Sequence, residues 1–257
     1  MIMSKQKKIG LALSGGGIRG IAQLGALKAL YEHDVKPNVI AGTSAGSIVG
    51  AFTAAGYAPE EIFEIVVKEK IFSYRNILFG KAGLFDMKSF ERLYAKYIPK
   101  DDFDSLEIPL YVMATDIVKA KSVTFNQGPL YSALLASCCV PLVFLPVQRE
   151  GMILLDGGIT NNFPTDVIRD KCDYLIGIHV NSLSSDIEQI HMKDTLDRSF
   201  HIVIGQSVTD RAELCDLLIE PPDMSRFGMF DFRKMKEIFN VGYEHTISVI
   251  GKTGLHI

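Results

Sequence analysis

Val39-Ile40-Ala41-Gly42-Thr43-Ser44-Ala45-Gly46-Ser47 joins a short apolar run, a glycine-flanked serine and the start of a small-residue run that continues to residue 55. That order predicts a buried strand, a sharp turn and a helix. At such a turn the chain reverses so tightly that the flanking positions must be small. The serine hydroxyl is left exposed at the carboxyl end of the strand, with the next helix's N-terminus aimed at it. The surroundings repeat the pattern: 8–14 predicts a buried strand, 21–33 a helix with Leu24, Leu27 and Leu30 as apolar positions, 38–41 a strand and 45–56 a helix. A βαβα order calls for a parallel sheet.

Beyond this unit, 59–99 reads as helical with a break at 79–83, and 109–115 and 122–126 return to strand. A helix follows over 130–137, then short strands over 143–147 and 152–155 joined at Glu150-Gly151. Residues 174–180 predict the last strongly apolar strand and 216–220 another, while 193–214 and 232–250 carry helical spacing. No repeat, low-complexity tract or Pro/Gly/Ser-rich linker separates these elements. The expectation is one α/β domain over 1–257, with the motifs in about 8–180 and the 59–99 helices covering an edge or mouth of the sheet. The apolar crowd at 71–85, broken by Gly80 and Gly83, reads either as two helix faces packed on the core or as an apolar lip over an acyl pocket.

Composition narrows the function classes. At 47% hydrophobic residues the 257-residue chain can bury a sizeable core. A net charge of -3 gives no electrostatic footprint for nucleic acid, whose phosphates are met by an excess of Lys and Arg. The basic N-terminus is followed by an apolar stretch of only 9–13, too short for a signal peptide or a membrane span. Cys138, Cys139, Cys172 and Cys215 have neither C-x-x-C spacing nor framework density, so they read as reduced core thiols of a cytoplasmic protein.

Upstream of the serine, Gly15-Gly16-Gly17-Ile18-Arg19-Gly20 follows a strand and opens a helix. It satisfies the dinucleotide-binding spacing, but that use also needs an acidic residue about 20 positions on, at the end of the second strand. Ala41-Gly42-Thr43-Ser44 stands there instead. The other use is an oxyanion hole, in which glycines let backbone N–H groups point into a cavity and Arg19 adds positive potential.

An exposed serine needs a proton acceptor, usually a histidine held by an acid. His33, His191, His201, His245 and His256 lie on helix faces, near a helix end or in the tail; only His179, near a strand end, is placed to reach the mouth of a site. Asp156 is the stronger base. It ends the apolar run Met152-Ile153-Leu154-Leu155, and Gly157 and Gly158 free the backbone for close approach. No His/Cys/Asp/Glu cluster has metal-ligand spacing.

Taken together, G-x-G-x-x-G at 15–20, G-x-S-x-G at 42–46 and D-G-G at 156–158 resemble the patatin-like phospholipase family in its compact bacterial form. Ala114-Thr115-Asp116 and Ala136-Ser137-x-x-x-Pro141 add to the likeness, which covers about 8–180. The resemblance implies a three-layer α/β/α fold with a mostly parallel central sheet and a Ser44–Asp156 dyad. It further implies an oxyanion hole from the amides of Gly15, Gly16 and Gly17 assisted by Arg19, with Gly20, Gly42, Gly46, Gly157 and Gly158 as motif glycines. The implied reaction is hydrolysis of lipid acyl esters through an acyl-enzyme, without metal or cofactor, at a site that meets a membrane peripherally. A regulatory or scaffold protein of the same fold that binds an acyl ligand or a partner is the second reading, and a nicotinamide or flavin enzyme the third.

Overall fold

The computed structural model describes residues 7–69, 87–141, 143–182, 202, 205, 208–229 and 231–254. Its sheet contains β1 (Ile9–Leu13), β2 (Val39–Thr43), β3 (Leu110–Asp116), β4 (Lys121–Phe125), β5 (Val147–Arg149), β6 (Met152–Asp156), β7 (Tyr174–Ile178) and β8 (Leu217–Ile219). They are ordered β5-β6-β3-β2-β1-β7-β8, with β4 also paired to β3. The five strands β3, β2, β1, β7 and β8 run parallel, whereas β4, β5 and β6 attach through antiparallel pairs.

Along the strands, burial follows the two-residue period of a sheet covered on both faces. Leu11, Leu13, Ile40, Val112, Ile176 and Ile178 face the larger apolar cluster, where α1 (Ile21–Glu32), α2 (Ala45–Ala54), α3 (Pro59–Lys68) and α5 (Leu130–Ser137) contribute side chains. Ala12, Val39, Ala41 and Leu175 face the other side, covered by Phe163, by Ile168 of α6 (Thr165–Ile168), and by Val208 and Ala212 of α7 (Val208–Ala212). Helices therefore flank both faces of the sheet.

Most of α1 is buried, because the helix packs along α8 (Met235–Thr253) and against α3. The crossing is close enough to exclude a methyl group: a Cβ on Gly25 would lie 2.0 Å from the Phe239 carbonyl oxygen, and one on Gly242 would lie 1.9 Å from that of Ala22. Gly242→Ala must push two backbones apart, so it should destabilise the fold by roughly 3 kcal/mol. Urea unfolding checks this; a midpoint within error of wild type would mean that α8 shifts freely on α1.

Most predicted elements appear within a residue or two of their expected bounds. The strand expected over 143–147 does not. Pro141 precedes that run and Pro146 lies inside it, and a proline cannot donate to a ladder. The chain instead turns, with the N–H groups of Val143 and Phe144 donating to the Val140 carbonyl and the Phe144 ring edge-on to Phe90 of α4 (Lys88–Tyr97). Pairing with β6 begins only at Val147. The region at 71–85 lies outside the described residues, as does most of the 193–214 stretch.

Candidate active site

The register of β3 brings Ser44 and Asp156 together. β4 pairs with β3 from Val112 to Asp116, a span that overlaps the partners of both β2 and β6. β2 and β6 must therefore share the other edge of β3. β2 occupies it up to Thr43 opposite Met113, and β6 takes over with Asp156 opposite Ala114. The two strands meet end to end, carboxyl end against carboxyl end, so the residue after β2 faces the last residue of β6.

Ser44 occupies the elbow between β2 and α2 at φ 51° and ψ −123°, a conformation that costs a non-glycine residue of order 1–3 kcal/mol. Tight packing enforces it. A Cβ on Gly42 would lie 2.4 Å from the Gly46 carbonyl oxygen, and one on Gly46 would lie 2.5 Å from that of Leu13. The Ser44 N–H donates to Ser137 Oγ at 2.8 Å, Ser47 Oγ donates to the Ser44 carbonyl at 2.6 Å, and Thr43 Oγ1 donates to the Asn161 carbonyl at 2.8 Å. The elbow is thus held from α2, α5 and the loop after β6.

Asp156 is 2% exposed. Burial pushes its carboxyl up to about 6, although hydrogen bonds from the Ser44 side chain and the Gly158 N–H oppose the rise. The Gly158 N–H donates to Asp156 Oδ1 at 2.7 Å. Thr115 Oγ1 donates to the Asp156 carbonyl at 2.9 Å, and the Asp156 N–H donates to the Cys139 carbonyl at 2.9 Å. A Cβ on Gly157 would lie 2.4 Å from the Met113 carbonyl oxygen, so only glycine lets this turn rest on β3. Burial, with the nearby Asp156 charge, raises the Cys139 thiol to about 12 and lifts Cys138 further. Both stay neutral at physiological pH, and all four cysteines are unpaired.

The glycine loop borders this pair. A Cβ on Gly15 would lie 2.4 Å from Asn162 Oδ1 and 3.2 Å from Ser44 Cβ, and one on Gly20 would lie 2.8 Å from Ala45 Cβ. Three loop amides were expected to form an oxyanion hole, and one is already engaged: the Gly15 N–H donates to the Asn162 carbonyl at 3.1 Å. The Gly16 and Gly17 N–H groups have no acceptor among the described residues. Gly16 at φ 156° and Gly17 at φ 57° adopt conformations that favour glycine. Asn181 Nδ2 holds the Gly15 carbonyl at 2.6 Å and Gln23 Nε2 that of Ser14 at 2.7 Å.

Arg19 is buried, and its Nε donates to the Phe227 carbonyl at 2.6 Å. With the Ile18 N–H donating to the Met229 carbonyl, it ties the loop to the chain before α8. His179 directs Nδ1 to Glu220 Oε1 at 2.8 Å, and this contact lowers the Glu220 carboxyl below its usual range. Asp116, also noted in the sequence, caps the β3–β4 turn by accepting from the N–H groups of Val118 and Lys119. Sequence reasoning gave no role to Asn161, Asn162 or Asn181, and left Ser137 and Thr115 inside minor motifs.

Fold and site define a class: an α/β protein with helices on both faces of the sheet, a serine on a strand-to-helix elbow, and a buried aspartate beside it. The patatin-like phospholipase model matches residues 11–169, and the chain belongs to that family. An uncharacterized NTE family protein of Mycobacterium tuberculosis is 32% identical over 185 residues, covering 69% of this chain and 50% of that protein. Human patatin-like phospholipase domain-containing protein 6 is 25% identical over 280 residues, covering 95% of this chain and 20% of that protein. The chain thus spans half the length of the first relative and a fifth of the second. The crystal structure of VipD from Legionella pneumophila has a similar fold, with a TM-score of 0.57 at 13% identity over 96% of this chain and 67% of that one. Among the described residues, no helix is long and apolar enough to cross a membrane.

Proposed function

We propose that the chain is a serine acylhydrolase that cleaves fatty acyl ester bonds of phospholipids, lysophospholipids or related lipids through a Ser44–Asp156 dyad. The observation that carries this reading is the strand register that sets the Ser44 elbow against the buried Asp156 carboxyl, which burial raises to about 6. A base poised near neutral pH is matched to accepting a serine proton and returning it to a leaving group. Membership of the patatin-like phospholipase family supports the same chemistry.

In the proposed reaction, Ser44 Oγ attacks the ester carbonyl carbon as its proton passes to Asp156. The carbonyl oxygen becomes an oxyanion, met by the Gly16 and Gly17 N–H groups, with the positive charge of Arg19 behind the loop. Collapse expels the alcohol oxygen, which takes the proton from Asp156 and leaves acyl-Ser44. Water then gives a proton to Asp156 as its oxygen attacks the acyl carbon, and Ser44 departs reprotonated with release of the fatty acid. The substrate is a lipid met peripherally at a membrane surface in the cytoplasm.

A panel of acyl esters of graded chain length, each offered as monomer and as micelle, tests the reading. Hydrolysis should proceed equally with and without EDTA, because nucleophile, base and amide donors all come from the chain. Among the described residues, no three His, Cys, Asp or Glu side chains converge on a point that could hold an ion. Loss of rate on chelation that calcium or zinc restores would overturn the mechanism.

A further inference from the structure

We infer that the turn over 140–146 and the tip of the β3–β4 hairpin form one docking surface, which seats the protein on an anionic phospholipid membrane beside Ser44. The inference deepens the lipid reading of the site and rests on it. Residues 140–147 contain no polar side chain, and the hairpin tip Ile117-Val118-Lys119-Ala120-Lys121 joins apolar residues to two lysines. The apolar run is not core. Leu145 is 58% exposed, and Val140, Val143 and Val147 are only half-buried. Val118 is 70% exposed and Ile117 42%, so these two segments hold three of the six large hydrophobic side chains that are exposed among the described residues. Such side chains scattered singly need no partner, whereas a gathered patch marks a contact surface.

Strand register makes the two segments neighbours. Leu154 of β6 pairs with Val147 of β5 on one side and with Asp116 of β3 on the other. With strands spaced about 4.8 Å apart, the turn enters β5 about 10 Å from the point where the hairpin tip leaves β3. The Ile117 N–H carries the pairing further by donating to the Ile153 carbonyl at 3.0 Å. The patch also borders the Ser44–Asp156 pair. Asp156 ends the strand that carries Leu154, and the Cys139 carbonyl that accepts its N–H belongs to the residue whose Sγ donates to the Leu145 carbonyl at 3.0 Å. β3 runs on from Met113, the partner of Thr43, to Asp116, so the tip projects past the elbow at the same end of the sheet.

Backbone and charge both fit the patch to a lipid surface. The N–H groups of Val143 and Phe144 donate to the Val140 carbonyl, that of Val140 donates to the Cys138 carbonyl, and Pro141 and Pro146 have none. The turn therefore brings few unpaired donors into an apolar medium. Lys119 and Lys121 are exposed and form no ion pair among the described residues. The Asp116 carboxylate near them is buried and accepts from the Val118 and Lys119 N–H groups, and Glu150 on the neighbouring β5–β6 turn is paired with Arg149 Nε at 3.1 Å. Unneutralised lysines at the rim of an apolar patch complement anionic headgroups.

Vesicle flotation tests the surface, using the chain with Ser44→Ala so that no lipid is consumed. Phosphatidylcholine vesicles that contain phosphatidylglycerol should bind on the order of 20-fold more tightly than phosphatidylcholine alone, and high salt should erase the difference. Lys119→Gln combined with Lys121→Gln should erase it too. Leu145→Ser and Val118→Ser should each weaken binding to both kinds of vesicle by about tenfold. In the chain with Ser44 intact, the same substitutions should leave the melting temperature and the turnover of a monomeric short-chain ester unchanged. Folded Leu145→Ser and Val118→Ser variants that float like the parent would overturn the inference, as would a self-association that Leu145→Ser abolishes, which would make the patch an interface between copies. If Leu145→Ser fails to fold, Val118→Ser and the lysine variants decide. Flotation by a chain that cleaves no ester sinks the hydrolase reading alone, and cleavage of monomeric esters by a chain that binds neither vesicle sinks the docking surface alone.

Discussion

Ser44→Ala abolishes acyl-ester turnover, lowering kcat by on the order of 10⁴-fold or more, and ends covalent labelling by a fluorophosphonate. The substitution removes one oxygen at a half-buried position. It leaves the Ser44 N–H bond to Ser137 Oγ untouched and keeps a Cβ on the strained backbone. The melting temperature should therefore stay near that of wild type. Circular dichroism and thermal melts, run beside the kinetics, check that the loss is chemical. A folded variant with appreciable turnover, or one still labelled at the active serine, would remove Ser44 from the nucleophile's role.

Asp156→Asn is expected to be nearly as damaging, slowing turnover by about 10³-fold or more, since an amide cannot take the serine proton. The double variant should be little worse than either single one, as expected for two groups acting as a unit. His179→Ala should keep most activity. Stability moves the other way. With its carboxyl raised from 3.8 to about 6, the folded state binds more protons than the unfolded state across that interval, so stability falls as pH rises from about 4 to about 6. Above that range the buried charge costs up to about 3 kcal/mol, which the neutral amide removes. Asp156→Asn should thus melt higher than wild type at pH 8 and no higher at pH 4. The wild-type rate should rise with pH, with its midpoint near about 6, because the base acts as the carboxylate. A folded Asp156→Asn enzyme with a near-normal rate would refute the dyad and return the base to a histidine.

The glycines were the most legible part of the site, because their constraint is steric and local. Gly42 and Gly46 flank an elbow that no larger residue allows, and Gly157 rests on the Met113 carbonyl. The alternating strand and helix signals gave the start of the parallel sheet for a similar reason: β1 and β2 are short, apolar and each followed by its own helix. What the sequence hid is set by contacts between distant segments. That the Gly15 amide is taken depends on the Asn162 carbonyl, and the support behind Asp156 depends on Thr115. Arg19 was read as a source of charge toward the substrate, and its guanidinium also anchors the chain at Phe227, in the least diagnostic third of the sequence. Two consecutive asparagines so soon after D-G-G were the one available hint of the loop that braces both elbows. The 143–147 run was misread because apolar content outweighed Pro141 just before it and Pro146 within it.

The end-to-end meeting of β2 and β6 along one edge of β3 also bears on how activity is acquired in time. Neither strand alone brings the serine and the carboxylate together, and the second arrives only after the hairpin and helix between β3 and β6 have been laid down. Closing that long loop is slow compared with forming the helices or the local β1–β2 unit. A refolding chain therefore regains most of its helix signal and compactness while still inert, and the recovery of activity becomes a clock for the last strand to dock.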